Sequence, residues 1–124
     1  MKKAPIDTLI ANWENNWNQH NAHGLKNMFL EDVILIENDI ICKSIQELDE
    51  KWIQPNLNNV KDLKTFKMQE WSTESRAGYT GTYEVEVTID SVNNKLKGVF
   101  TVTWMKTEQE EWKISSAMIH AFLT

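Results

Sequence analysis

Gly98-Val99-Phe100-Thr101-Val102-Thr103-Trp104-Met105-Lys106, followed after a charged turn by Trp112-Lys113-Ile114, decides the fold of this chain. Both runs are of strand length and each carries a tryptophan; in the first, apolar residues alternate with threonine. Joined by a short polar turn, they read as neighbouring strands of a curved antiparallel sheet. His120 lies six residues beyond Ile114. On a strict period of two it shares a face with Trp112, Ile114, Ser116 and Met118, the side expected to pack.

Working back towards the N-terminus, Ala77, Tyr79, Gly81, Tyr83, Val85, Val87 and Ile89 alternate with Gly78, Thr80, Thr82, Glu84, Glu86, Thr88 and Asp90. One face is apolar and the other polar, the signature of a half-buried strand. Asn93-Asn94 suits the next turn, because asparagine tolerates the positive φ that hairpins require. Strand character reaches back to Leu63, and Gly78, Gly81 and Gly98 are positions at which a sheet bends.

The first half is helical. Ile6, Leu9, Ile10, Trp13 and Trp17 fall on one helix face, opened by Pro5. The opposite face carries Asn12, Asn15, Asn16 and Asn18, poor helix formers, so packing of the tryptophan face must hold the helix. Asn21 caps a short second helix. Two β-branched runs, Val33 to Ile36 and Ile40 to Cys42, flank a turn at Glu37-Asn38-Asp39. Ser44-Ile45-Gln46-Glu47 is a capping box opening a third helix, which packs through Ile45, Leu48, Trp52 and Ile53 and stops at Pro55. Helices early and sheet late give an α+β class: a cone-shaped, curved antiparallel sheet wrapped around three helices from the N-terminal half.

A chain of 124 residues builds one core, hence one domain over 1–124. A net charge of −5, without a basic run, argues against nucleic-acid and anionic-membrane partners. The single cysteine, Cys42, rules out an intrachain disulfide, and its apolar setting suits a buried, inert thiol. His20 and His23 lack a third ligand at useful spacing, so no metal is expected. No cofactor is expected either, since nucleophile elbow, phosphate loop and dinucleotide fingerprint are all missing from the sequence. Met1-Lys2-Lys3 is not followed by an apolar signal core, and no stretch reaches membrane-spanning length; a cytoplasmic location is expected.

The run Trp17-Asn18-x-His20-Asn21-Ala22, with Leu25, Met28-Phe29 and Glu31-Asp32-Val33, resembles the helix-to-strand signature of the nuclear transport factor 2-like superfamily. The closing Gly98-x-Phe100-x-Val102-x-Trp104 and Trp112-Lys113-Ile114 resemble its last two strands. The similarity covers nearly the whole chain and is greatest to the SnoaL-like bacterial domains, with a cystatin-like fold. It implies a conical pocket and, in ketosteroid isomerase-like members, a carboxylate base with a tyrosine and a second acid as oxyanion donors. By that resemblance Glu37 takes the base position, Trp13 the tyrosine position and Val102 that of the second acid. Arg76 lies too near a strand end for epoxide hydrolase-like chemistry, whereas His120 with Tyr83 resembles part of a scytalone dehydratase-like set.

The candidate catalytic residues are therefore Glu37, a base or ligand anchor if desolvated in the cone, and His120. The candidate ligand contacts are Trp13, Trp17, Trp52, Trp71, Tyr83, Val102, Trp104 and Met118, as small-molecule pockets are apolar with few polar anchors. Two functions follow. One is a protein binding a small apolar molecule, with isomerase-, cyclase- or dehydratase-type activity. The other is a non-catalytic accessory module, a homodimer through the outer sheet face, with aromatic rings filling the cone.

Overall fold

The computed structural model describes residues 4–122. Helix α1 spans Ile6–Asn18 and α2 Ala22–Lys26; strands β1 (Phe29–Glu37) and β2 (Ile40–Cys42) form a hairpin. Helix α3 (Ile45–Leu48) runs into a π-helical turn, Asp49–Ile53, and a last α turn, Gln54–Asn56. Four long strands follow: β3 (Val60–Ser72), β4 (Arg76–Ile89), β5 (Val92–Lys106) and β6 (Trp112–Ala121). They build one six-stranded sheet in the order β2-β1-β6-β5-β4-β3. All pairs are antiparallel except β1 with β6, which is parallel. One parallel pair thus joins an otherwise antiparallel sheet. The chain leaves the β1–β2 hairpin through the third helix and returns by β3 to β5, so β6 inserts beside β1 with the same direction.

The core lies between the concave sheet face and the helices. Ile6, Ile10 and Trp17 of α1 are buried against it, as their spacing requires. Asn18, the last of the asparagines on α1, has a partner on β3, as does Glu14 one turn before it. Asn18 Nδ2 donates to Leu63 O (3.2 Å), while its Oδ1 accepts from Leu63 N (2.8 Å). Glu14 Oε2 accepts from Thr65 N at 2.7 Å, and Thr65 Oγ1 also donates to it. Strand β3 is a sheet edge, and α1 supplies bonds to its backbone at Leu63 and Thr65 that a further strand would otherwise make. The helix and the edge satisfy each other.

The turn expected at Asn93-Asn94 lies instead at Asp90-Ser91. Ile89 pairs with Val92, and the two residues between have φ of 51° and 65°. Two consecutive left-handed residues make the two-residue hairpin turn whose twist matches the strands. Asn93 and Asn94 are strand residues opposite Thr88 and Val87. The third helix also differs from expectation. Ser44 Oγ accepts from Glu47 N at 3.1 Å, but Glu47 reaches back to Lys43 N (2.7 Å), one residue before the cap. Its middle widens into the π turn directly ahead of Pro55, which has no N–H with which to continue an α ladder.

Strand β6 carries a bulge that decides the fate of His120. Thr103 pairs with Ser116 and Trp104 with Ile114, leaving Ser115 as an extra residue, its Oγ donating to Thr103 O at 3.1 Å. Beyond the bulge the parity is reversed relative to a count from Ile114. Ala117 and Ile119 point into the cone, and Met118 and His120 point out.

Candidate functional site

Between α1, the π turn and the concave face lies a cavity of about 680 Å³. Trp13 and Trp17 from α1 and Trp52 from the π turn form one wall; Tyr83, Val85, Leu96 and Phe100 form the sheet side. The exposed lining residues Asn59, Ile89, Asp90 and Ser91 mark its open end at the β4–β5 turn. The size falls within the roughly 300–1,000 Å³ of small-molecule sites.

Three polar side chains meet in this apolar wall. Glu37 ends β1, where alternation after Val33 and Leu35 turns it inward opposite Ile119. Burial pushes its carboxyl above the ordinary carboxylate range, while hydrogen bonding from Trp52 pulls the other way. The Tyr83 hydroxyl is pushed up to about 12, first by burial and then by the charge on Glu37. Tyr83 and Glu37 are therefore electrostatic neighbours across the cavity, and the phenol stays protonated throughout the physiological range. Gly98 gives the phenol its place: a Cβ there would stand 2.6 Å from Tyr83 Oη.

The three indole rings on the helical side pack on one another. Trp13 stacks on Trp52 with centroids 5.8 Å apart, and Trp17 meets Trp52 edge-on at 5.1 Å. Because Trp52 packs on both other rings and lines the cavity with Glu37, the π turn that aims it belongs to the architecture of the site. Local π turns recur at functional sites for this reason, since they re-aim a side chain without ending the helix.

The structure brings Glu37, Trp13, Trp17, Trp52 and Tyr83 together around the cavity. It does not bring His120 there. That residue lies exposed on the outer sheet face, because the Ser115 bulge reverses parity. Met118, 53% exposed, shares that outer face for the same reason. Trp71 is 46% exposed and lies over Gly78, where a Cβ would collide with its indole; it covers a strand glycine on the convex side. Val102 and Trp104 point inward but line a separate small void of about 20 Å³ with Ile10 and Met28. They belong to the packed core beneath the cavity.

Sequence reading left out Leu96, Phe100 and Ile119. The first two share parity with Val102 and Trp104 in the opening stretch, so their inward direction was available. Asn56 and Asn59 also line the cavity, and no local pattern marks them. Among the described residues no group of three or more His, Cys, Asp or Glu side chains is placed to hold a metal ion. No helix among them is long and apolar enough to cross a membrane.

No family model matches the chain, and no curated protein matches its sequence. Solved structures do match it in shape. A ketosteroid isomerase-like protein from Erwinia carotovora superposes with a TM-score of 0.82 at 11% identity, over 96% of this chain and 95% of that one. A nuclear transport factor 2-like superfamily protein from Salmonella enterica gives 0.81 at 9% identity, covering 96% and 89%. A nuclear transport factor 2-like protein of unknown function from Shewanella oneidensis gives 0.73 at 18% identity, covering 93% and 95%. At such identities the likeness speaks for fold, and function must be argued from the site. The six-stranded unclosed sheet, its order and its helical cover give this chain the fold of the nuclear transport factor 2-like superfamily.

Proposed function

We propose that the cone binds a small apolar molecule, with Glu37 as the acid–base group of an isomerase-, cyclase- or dehydratase-type reaction. One observation carries this reading: a desolvated carboxyl lies in an aromatic cavity of about 680 Å³, next to a phenol held neutral. A carboxyl whose pKa is raised by burial is a stronger base than an ordinary carboxylate, which suits it to proton transfer. The Tyr83 O–H, on the sheet side facing Glu37, is a donor suited to an oxygen that gains charge as the proton moves. His120 has no part in this reading, as its ring lies outside the cone.

The test is a thermal-shift screen of cyclic ketones and enones on the wild-type protein and on Glu37→Gln. Stabilisation of the wild type, with turnover reduced at least about 100-fold in the variant, is the expected outcome. Undiminished turnover in Glu37→Gln removes the acid from the mechanism.

A homodimer through the outer sheet face belongs to the same proposal. Ile34 and Met118 lie on that face, 41% and 53% exposed, next to the polar rows of β4 and β5. Sedimentation velocity at micromolar concentration should give a dimer that Met118→Lys converts to monomer. A monomeric wild type would refute it.

A further inference from the structure

We propose that the ligand of this cavity carries a basic nitrogen, a protonated amine set against the indole wall with Glu37 as its counter-charge. The inference rests on the reading that the cone is a ligand site, and it narrows the class of ligand. Of the described residues that line the cavity, those that carry charge are Glu37 and Asp90, both acidic, and none is lysine, arginine or histidine. An anionic ligand would therefore enter a low-dielectric cone with no counter-charge and two repelling groups. A cation meets the opposite conditions.

The wall chemistry points the same way. Trp13, Trp17 and Trp52 place three indoles side by side, and indole is the best of the side-chain rings at attracting a cation. Glu37 Oε atoms and Tyr83 Oη are acceptors for ammonium N–H groups, and Asp90 at the open end adds an attraction on approach. Among the described residues Glu37 also has no cationic partner, since none of their salt bridges includes it. Of the neighbouring ionisable groups, Tyr83 faces it from β4, and the Cys42 thiol lies nearby on β2. Lys51, the nearest basic residue of the third helix, is paired with Glu47. A half-buried acid with no counter-ion among the described residues, beside an aromatic wall, is poised to take its counter-ion from the ligand.

The proton balance gives the proposal a signature. Bringing an ammonium beside Glu37 favours the carboxylate, so binding releases the carboxyl proton to solvent wherever the free protein holds it. Affinity for an amine then rises with pH until the carboxyl is ionised in the free protein, and is level above that point until the ammonium itself loses its proton. A neutral ligand shows the reverse tendency or none.

Isothermal titration with a matched set decides it: bridgehead adamantanamine, adamantanol and adamantane carboxylate, which share one hydrocarbon cage. The amine should bind the wild-type protein at least tenfold tighter than the alcohol at pH 8, and the carboxylate should not bind. Titrations in buffers of different ionisation enthalpy should report proton release by the amine in mildly acidic solution. Glu37→Gln should lose at least tenfold of the amine affinity and keep that of the alcohol. If the alcohol or carboxylate binds as tightly as the amine, the amine assignment is overturned while the cone remains a ligand site. If none of the cages binds, both readings fall. The comparison among ligands on the wild type stands whether or not the variant folds.

Discussion

Glu37→Gln unfolds at a higher temperature than the wild-type protein at pH 7, and the difference closes as the pH falls below 4.5, the carboxyl's ordinary value. The sign follows from proton linkage. Burial raises the folded-state value, so below 4.5 both folded and unfolded chains hold the proton and ionisation costs the fold nothing. As pH rises past that point the unfolded chain releases its proton first, and the folded state loses stability relative to it. Above the raised folded value the loss is complete. Glutamine has the same shape and keeps a carbonyl acceptor there, but it never ionises, so the variant escapes this loss. The gain in melting temperature is therefore a function of pH, rising between the ordinary and the raised value and level on either side. A gap that is constant from pH 4 to pH 8 would show that the carboxyl is hydrated and not perturbed.

The same substitution separates stability from function. Active sites hold groups that the fold would be more stable without, because a perturbed pKa is useful for chemistry and costly for folding. A variant that is more stable at neutral pH yet fails to turn over or bind would place Glu37 in that class. A variant that loses both would make it a structural residue of the β1–β2 hairpin.

The inward direction of Glu37 was legible in the sequence because it depends only on local alternation, Val33, Leu35, Glu37, ending at a turn. Trp13 and Trp17 were legible as one stripe of a helix, and Asn21 as a cap, whose Oδ1 accepts from Gly24 N at 3.0 Å. His120 was not. Period-two reasoning counts residues, and the bulge at Ser115 adds one to β6 without adding one to β5. Two serines in succession give no warning of it, since a bulge is a property of the pair of strands. The β4–β5 turn was misread for a related reason: asparagine is the better left-handed residue, yet Asp90-Ser91 is where the two strands close in register. Trp71 looked like any other tryptophan. Its position over Gly78 depends on β3 pairing beside β4, a partnership between distant segments that local patterns do not encode.

Trp104→Ala is expected to cost about 3–5 kcal/mol, and Trp104→Phe far less, although both remove atoms from the same site. Trp104 is 1% exposed, at the inward end of the stretch that identifies the fold, among Ile10, Met28, Val102 and Ile114. Alanine leaves a large cavity beside a small void already present, and β-strand neighbours collapse poorly into such a gap. For a domain whose whole stability is about 5–15 kcal/mol, that loss brings the unfolded state within reach at ordinary temperature. Phenylalanine loses volume too, but it removes a liability. The Trp104 indole nitrogen is buried without a hydrogen-bond partner among the described residues. A buried, unpartnered N–H costs about 1–3 kcal/mol, which offsets much of the packing lost by the smaller ring. Urea unfolding of the three proteins at a common slope gives the comparison directly. Equal costs for phenylalanine and alanine would mean that the indole N–H is satisfied in solution, so that its removal brings no relief. A mild phenylalanine variant, with cavity binding intact, would show instead that Trp104 holds the cone from beneath by its shape alone.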